Sequence, residues 1–72
     1  MLVDGNKFRA ARVACKMSPM KLAIAGGYSS EARVYQIELK KDVGAEVPDI
    51  RLLPMLKAMG ITMEDVRKEK GE

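Results

Sequence analysis

The chain of 72 residues has no histidine and one cysteine, Cys15. One thiol cannot close an internal disulfide. Without histidine, the usual zinc sites, imidazole acid–base catalysis and Cys–His nucleophilic pairs are all excluded. An enzyme would have to rest on carboxylates, Lys, Tyr or Ser alone, and no paired-carboxylate or Ser/Lys motif stands out. No metal, no cofactor and no catalytic activity are expected. No apolar run is long enough to cross a bilayer. Met1-Leu2-Val3 is followed at once by Asp4, Gly5 and Asn6, which does not read as a signal peptide. The expected setting is the cytoplasm, with no membrane contact.

What is present points to one small globular domain spanning residues 1–72. Hydrophobic residues make up 47% of the chain, too many for a disordered segment. A domain this short buries a modest share of its surface, so dimerisation would help it. Charge is divided unevenly. Residues 1–41 carry eight Lys or Arg against three acids, whereas residues 42–72 carry five against seven. The basic part suits a phosphate-facing surface.

That basic part contains the most legible stretch, Ser18 to Lys41. Ser18-Pro19 opens a helix: the hydroxyl caps an orphan N–H, and proline fits the first helical position. The helix runs to about Ala25, where Gly26-Gly27 stops it. Ser29 and Ser30 offer a second cap for a helix over about 30–40, with Val34 and Ile37 inward and polar residues around the rest. Two short helices joined by a tight glycine turn match the helix-turn-helix, whose second helix reads the DNA major groove.

The flanks read as three more helices. The first covers about 7–16, capped by Asp4 or Asn6, with Phe8, Ala11 and Cys15 on one stripe. Cys15 is expected there as a buried small hydrophobe. Residues 42–47 read as a loop, or as a short extended stretch. A fourth helix lies within Asp49–Met59 and either starts near Leu52 or kinks at Pro54. Gly60 ends it. Thr62 with Asp65 forms a capping box for a fifth helix, Met63 to about Lys70. The six methionines read as core filler.

Five helices in this order resemble the lambda-repressor-like, Xre/Cro-type DNA-binding family. The likeness is carried by FRAARVACKMS (8–18), SPMKLAIAGGYS (18–29), QIE (36–38) and LKAMGIT (56–62). Two features depart from the family pattern. One extra residue between Ser29 and Ile37 lengthens the turn or delays the third helix. Pro19 replaces a glutamine that often contacts phosphate, although a helix N-terminus still attracts one.

The resemblance implies an all-α fold and a small sequence-specific regulator of bacterial, phage or mobile-element origin, most simply a repressor. It would bind double-stranded DNA as a homodimer. By the same likeness, Glu31, Ala32, Arg33 and Gln36 read bases, with Gln36 suited to adenine and Arg33 to guanine. Ser18, Lys21, Ser30, Tyr35, Lys40 and Lys41 hold the backbone, and Arg12 with Glu38 is a structural pair between the first and third helices. Leu2, Val3, Met63 and Val66 are candidate dimer contacts. The alternative on the same fold is a protein-interaction module, such as an antitoxin that holds a toxin.

Overall fold

The computed structural model describes residues 1–69. Its elements, in order, are β1 (Leu2–Val3), α1 (Gly5–Ala14), α2 (Pro19–Ala25), α3 (Ala32–Leu39), β2 (Ala45–Glu46), α4 (Asp49–Met59) and a single 3-10 turn (Met63–Asp65). The architecture is mostly helical with a small sheet, so the all-α, five-helix expectation needs correction.

The sheet comes from segments with no helical stripe. β1 and β2 pair antiparallel, Leu2 opposite Glu46 and Val3 opposite Ala45. On its other edge Val3 bridges to Arg67. The Lys68 N–H donates to the Leu2 carbonyl at 3.1 Å and the Asp4 N–H to the Val66 carbonyl at 2.8 Å. This pairing also explains the missing fifth helix. The Thr62–Asp65 capping box forms, but helical structure stops after one 3-10 turn. The backbone beyond it is taken up by β1 instead of by a next helical turn. The expected far end of that helix, Lys70, lies outside the described residues.

The other boundaries follow local chemistry. The Asp4 carboxylate accepts from the Asn6 and Lys7 N–H groups at 2.9 and 3.2 Å, so α1 starts at Gly5. It ends at Ala14, and Lys16 is left-handed with φ 58°. Cys15 therefore falls off the apolar stripe and is exposed, not buried as expected. α4 runs uninterrupted through Pro54. The carbonyl that Pro54 leaves unpartnered belongs to Ile50, which is 80% exposed, so it opens towards water.

The core is built from Phe8, Leu22, Val34, Leu52 and Met55, all fully buried, with Ile37 and Leu56 nearly so. Each such side chain contributes about 1.5–3 kcal/mol of burial. Val3 and Val66 are fully buried inside this protomer. They are therefore removed from the candidate dimer contacts. The methionines divide: Met55 and Met59 are core, while Met20 is 43% exposed. Among the described residues, no helix is long and apolar enough to cross a membrane.

Candidate functional site

The site is assembled on α3, and α2 and α4 fix where α3 begins. The Ser18 hydroxyl accepts from the Lys21 N–H at 3.1 Å and caps α2, which has Pro19 in its first turn. Leu22 and Ala23 face the core. Gly26 closes the helix in close contact with α4: a Cβ there would lie 2.8 Å from Met55 Cγ. Gly27 follows with φ 81°, a left-handed geometry that glycine adopts without strain. Its added Cβ would collide with the Arg51 guanidinium. Arg51 Nη1 donates to the carbonyls of Gly26 and Gly27 at 3.3 and 2.9 Å. A cation thus holds the carbonyl end of α2, where the helix dipole is negative.

α3 starts at Ala32, two residues later than the Ser30 start expected from the sequence. The reason is the Ser30 hydroxyl, which accepts from the Ala32 N–H at 3.2 Å and caps the helix from outside it. Glu31 stands at the cap position with no side-chain hydrogen bond of its own. Val34 and Ile37 bury the inner side of α3. Glu38 joins them, with its side chain 6% exposed. Arg12 meets this carboxylate twice, Nε to Oε2 at 2.6 Å and Nη2 to Oε1 at 3.2 Å, and spends Nη1 on the Met17 carbonyl at 3.1 Å. The hydrogen bond to Glu38 raises the Arg12 pKa above its ordinary value, against the opposing effect of burial. A bidentate charged pair of this kind fixes the angle between α1 and α3.

The outer side of α3 is left free. Ala32, Arg33, Tyr35, Gln36, Leu39 and Lys40 are all exposed. Two clefts flank it. A cleft of about 280 Å³ towards β2 is lined by Tyr28, Arg33, Gln36, Lys40 and Val47, among others. A wider one of about 620 Å³ towards α1 is lined by Asn6, Arg9, Tyr35, Leu39 and Lys41, among others. Arg33 is the most constrained of these side chains. Its Nη1 donates to Gln36 Oε1 at 3.2 Å, and its guanidinium lies 5.4 Å from the centre of the Tyr28 ring. The Arg51 guanidinium lies at the same distance from that ring. Cation–π contacts at this range are worth about 0.5–1 kcal/mol on an exposed surface.

The structure therefore brings Arg33, Gln36 and Lys40 together on one flank, and Tyr35 and Lys41 together on the other. Ser18 and Lys21 are exposed on α2 and line neither cleft. Ser18 and Ser30 spend their hydroxyls as acceptors in caps, each retaining its own proton to donate. Sequence reasoning missed Tyr28, Arg51 and Arg9. Arg51 carried a signal: a cation in the first turn of α4 opposes that helix's dipole and needs a partner elsewhere. Arg9 carried a weaker one, three residues before Arg12 on the same side of α1; its Nε stands 4.0 Å from Glu38.

No known protein family, curated protein or solved structure matches this chain.

Proposed function

We propose that the chain is a small sequence-specific regulator that binds double-stranded DNA and acts as a repressor in the cytoplasm. In this reading α2, the glycine corner and α3 form a helix-turn-helix of the lambda-repressor-like kind, with α3 in the major groove. One observation carries it. α3 is anchored on its inner side by Val34, Ile37 and the Arg12–Glu38 pair, while Arg33, Gln36 and Lys40 stand free on the outer side. A rigid helix with a basic, donor-rich outer face is what base-edge reading requires. Arg9, Lys40 and Lys41 on the flanks supply phosphate contacts.

The protein would act as a homodimer, with its two α3 helices about 34 Å apart along the duplex. Ile50 and Leu53 replace Val3 and Val66 as the apolar contacts. They are 80% and 51% exposed on one stripe of α4, beside a groove of about 540 Å³ that includes Ile61 and Met63. The test is enrichment of duplexes from a random pool by the purified protein. An inverted repeat with half-sites one helical turn apart is expected; no enriched sequence after repeated rounds would refute the reading.

A second reading rests on a different observation. Leu39 and Val43 are 78% and 72% exposed at the carboxyl end of α3 and just beyond it. Two bare aliphatic side chains suit a protein partner better than phosphate. An antitoxin-like module holding a toxin would use them, and a co-purifying toxin lost on Leu39→Asp would support that role.

A further inference from the structure

The cleft of about 280 Å³ between α3 and β2 combines an apolar floor with a cationic rim. We propose that it binds a small aromatic carboxylate, and that this ligand competes with DNA for Arg33. The binding claim stands on the cleft alone. The competition rests on the DNA-binding reading and names a means of regulating it.

The floor comes from the core. Ile37, Ala45 and Val47 line the cleft and are 6%, 8% and 2% exposed, so they are held in place by close packing. The half-buried Tyr28 adds an aromatic wall. A hydrated phosphate gains nothing from such a floor, whereas a ring laid on it removes apolar surface from water. Sites for drug-sized ligands start at about 300 Å³, so this cleft suits a single ring and its carboxylate.

The rim selects the charge. Arg33, Gln36 and Lys40 follow one another at i, i+3 and i+7 along α3 and its cap, and all three line the cleft. Among the described residues, neither Arg33 nor Lys40 has a carboxylate partner. Arg33 gives Nη1 to Gln36 Oε1, which leaves Nε and Nη2 as a free edge. That edge matches the two oxygens of a carboxylate. The Tyr28 ring, 5.4 Å from the Arg33 guanidinium, holds the arginine beside the cleft before a ligand arrives. Glu46 is the one acid in the lining, and its Oε1 is engaged by the Met1 amine at 3.1 Å. Two cations against one engaged carboxylate leave the cleft positive. A carboxylate seated on Arg33 would occupy the donors that base reading requires.

The test is a titration of the isotope-labelled full chain with sodium benzoate, followed by amide chemical shifts. Saturable shifts centred on Arg33, Gln36, Ala45 and Val47 are expected in the millimolar range. Acetate lacks the ring and benzyl alcohol lacks the charge, so each should bind about tenfold more weakly. Arg33→Ala should weaken benzoate binding about tenfold, and Lys40→Ala about threefold. Both side chains are exposed, so these variants test recognition and not folding. Shifts that do not saturate, shifts centred on Arg9 and Leu39 in the other cleft, or equal affinity for acetate would overturn the site. Competition is read separately by fluorescence anisotropy on the duplex enriched from the random pool. Benzoate should release that duplex at the concentrations that saturate the shifts, and sodium chloride of equal ionic strength should release less. Retention of the duplex by benzoate-loaded protein would overturn the competition. A chain that binds benzoate and no DNA would support the site and overturn the regulator reading.

Discussion

Two arginine pairs lie on opposite sides of α3, and their surroundings assign them opposite work. On the inner side Arg12 meets Glu38 at 2.6 Å, with side chains only 12% and 6% exposed. On the outer side Arg33 meets Gln36 at 3.2 Å in open solvent. The inner pair is charge against charge in a poorly screened setting, where losing one partner strands the other. The outer pair is a cation on a neutral amide in water, worth little to stability. One helix thus carries a clamp on its inner side and, in the proposed function, a reader on its outer side, built from the same guanidinium chemistry. Burial decides which is which.

The comparison can be broken most decisively at the inner pair. Arg12→Ala should cost about 3 kcal/mol, because the Glu38 carboxylate loses its bidentate partner and keeps only the exposed Arg9 guanidinium, 4.0 Å away. Urea unfolding measures this, and a loss below about 1 kcal/mol would erase the contrast. Arg12→Met combined with Glu38→Leu should recover most of the loss, since no stranded charge remains.

Gly27→Ala is expected to come next, at about 1–2 kcal/mol. It forces a side chain into left-handed backbone and against the Arg51 guanidinium. Gly60→Ala is the control, because its φ of 71° is also left-handed but open space surrounds it. The difference between the two melting shifts isolates the collision from the backbone strain.

Arg33→Ala sharpens the comparison from the outer side. Its stability should stay within about 0.5 kcal/mol of the parent while DNA recognition suffers. A large drop in stability would mean that the reader is also a clamp.

The smallest effect belongs to a third cation. The Met1 amine bonds to the Glu46 carboxylate at 3.1 Å and approaches Asp49 at 3.5 Å; both acids are exposed. The hydrogen bond that the amine donates to Glu46 raises its pKa above the usual 8.0. A raised pKa on a cation means that its stabilisation is complete below the unfolded value. It fades as pH rises through the folded value. The melting temperature should therefore slip as pH climbs past about 8. Glu46→Gln should flatten part of that slope.

Much of this arrangement was legible in the sequence, and the reason is locality. Ser18-Pro19 and Gly26-Gly27 act within a few residues, and α2 has the bounds those signals predict. The Arg12–Glu38 contact followed from a resemblance and from an arginine beside an apolar stripe. The sheet was legible only in part: β2 lies in the 42–47 segment that read as a loop or a short extended stretch, whereas β1 and the pairing gave no signal. Two-residue strands show no alternation, and the pairing partners of Val3, Ala45 and Arg67, lie far along the chain. The fifth helix failed for the same reason: a Thr–Asp capping box looks identical before one 3-10 turn and before a long helix. Cys15 was misplaced because extending α1 by two residues kept it on the stripe. The Tyr28–Arg33–Gln36 arrangement needed coordinates, since only the fold brings the ring after the glycine corner against α3.

The most direct test of the central claim is a salt titration of binding to the enriched duplex. If the outer face of α3 reads DNA while Arg9, Lys40 and Lys41 hold phosphates, log affinity should fall linearly with log salt. The slope should be roughly −0.9 per phosphate neutralised, several in total. Lys40→Ala should make the slope shallower by about one, and Arg33→Ala should lower sequence discrimination. A flat salt dependence, or no binding at low salt, would contradict the account.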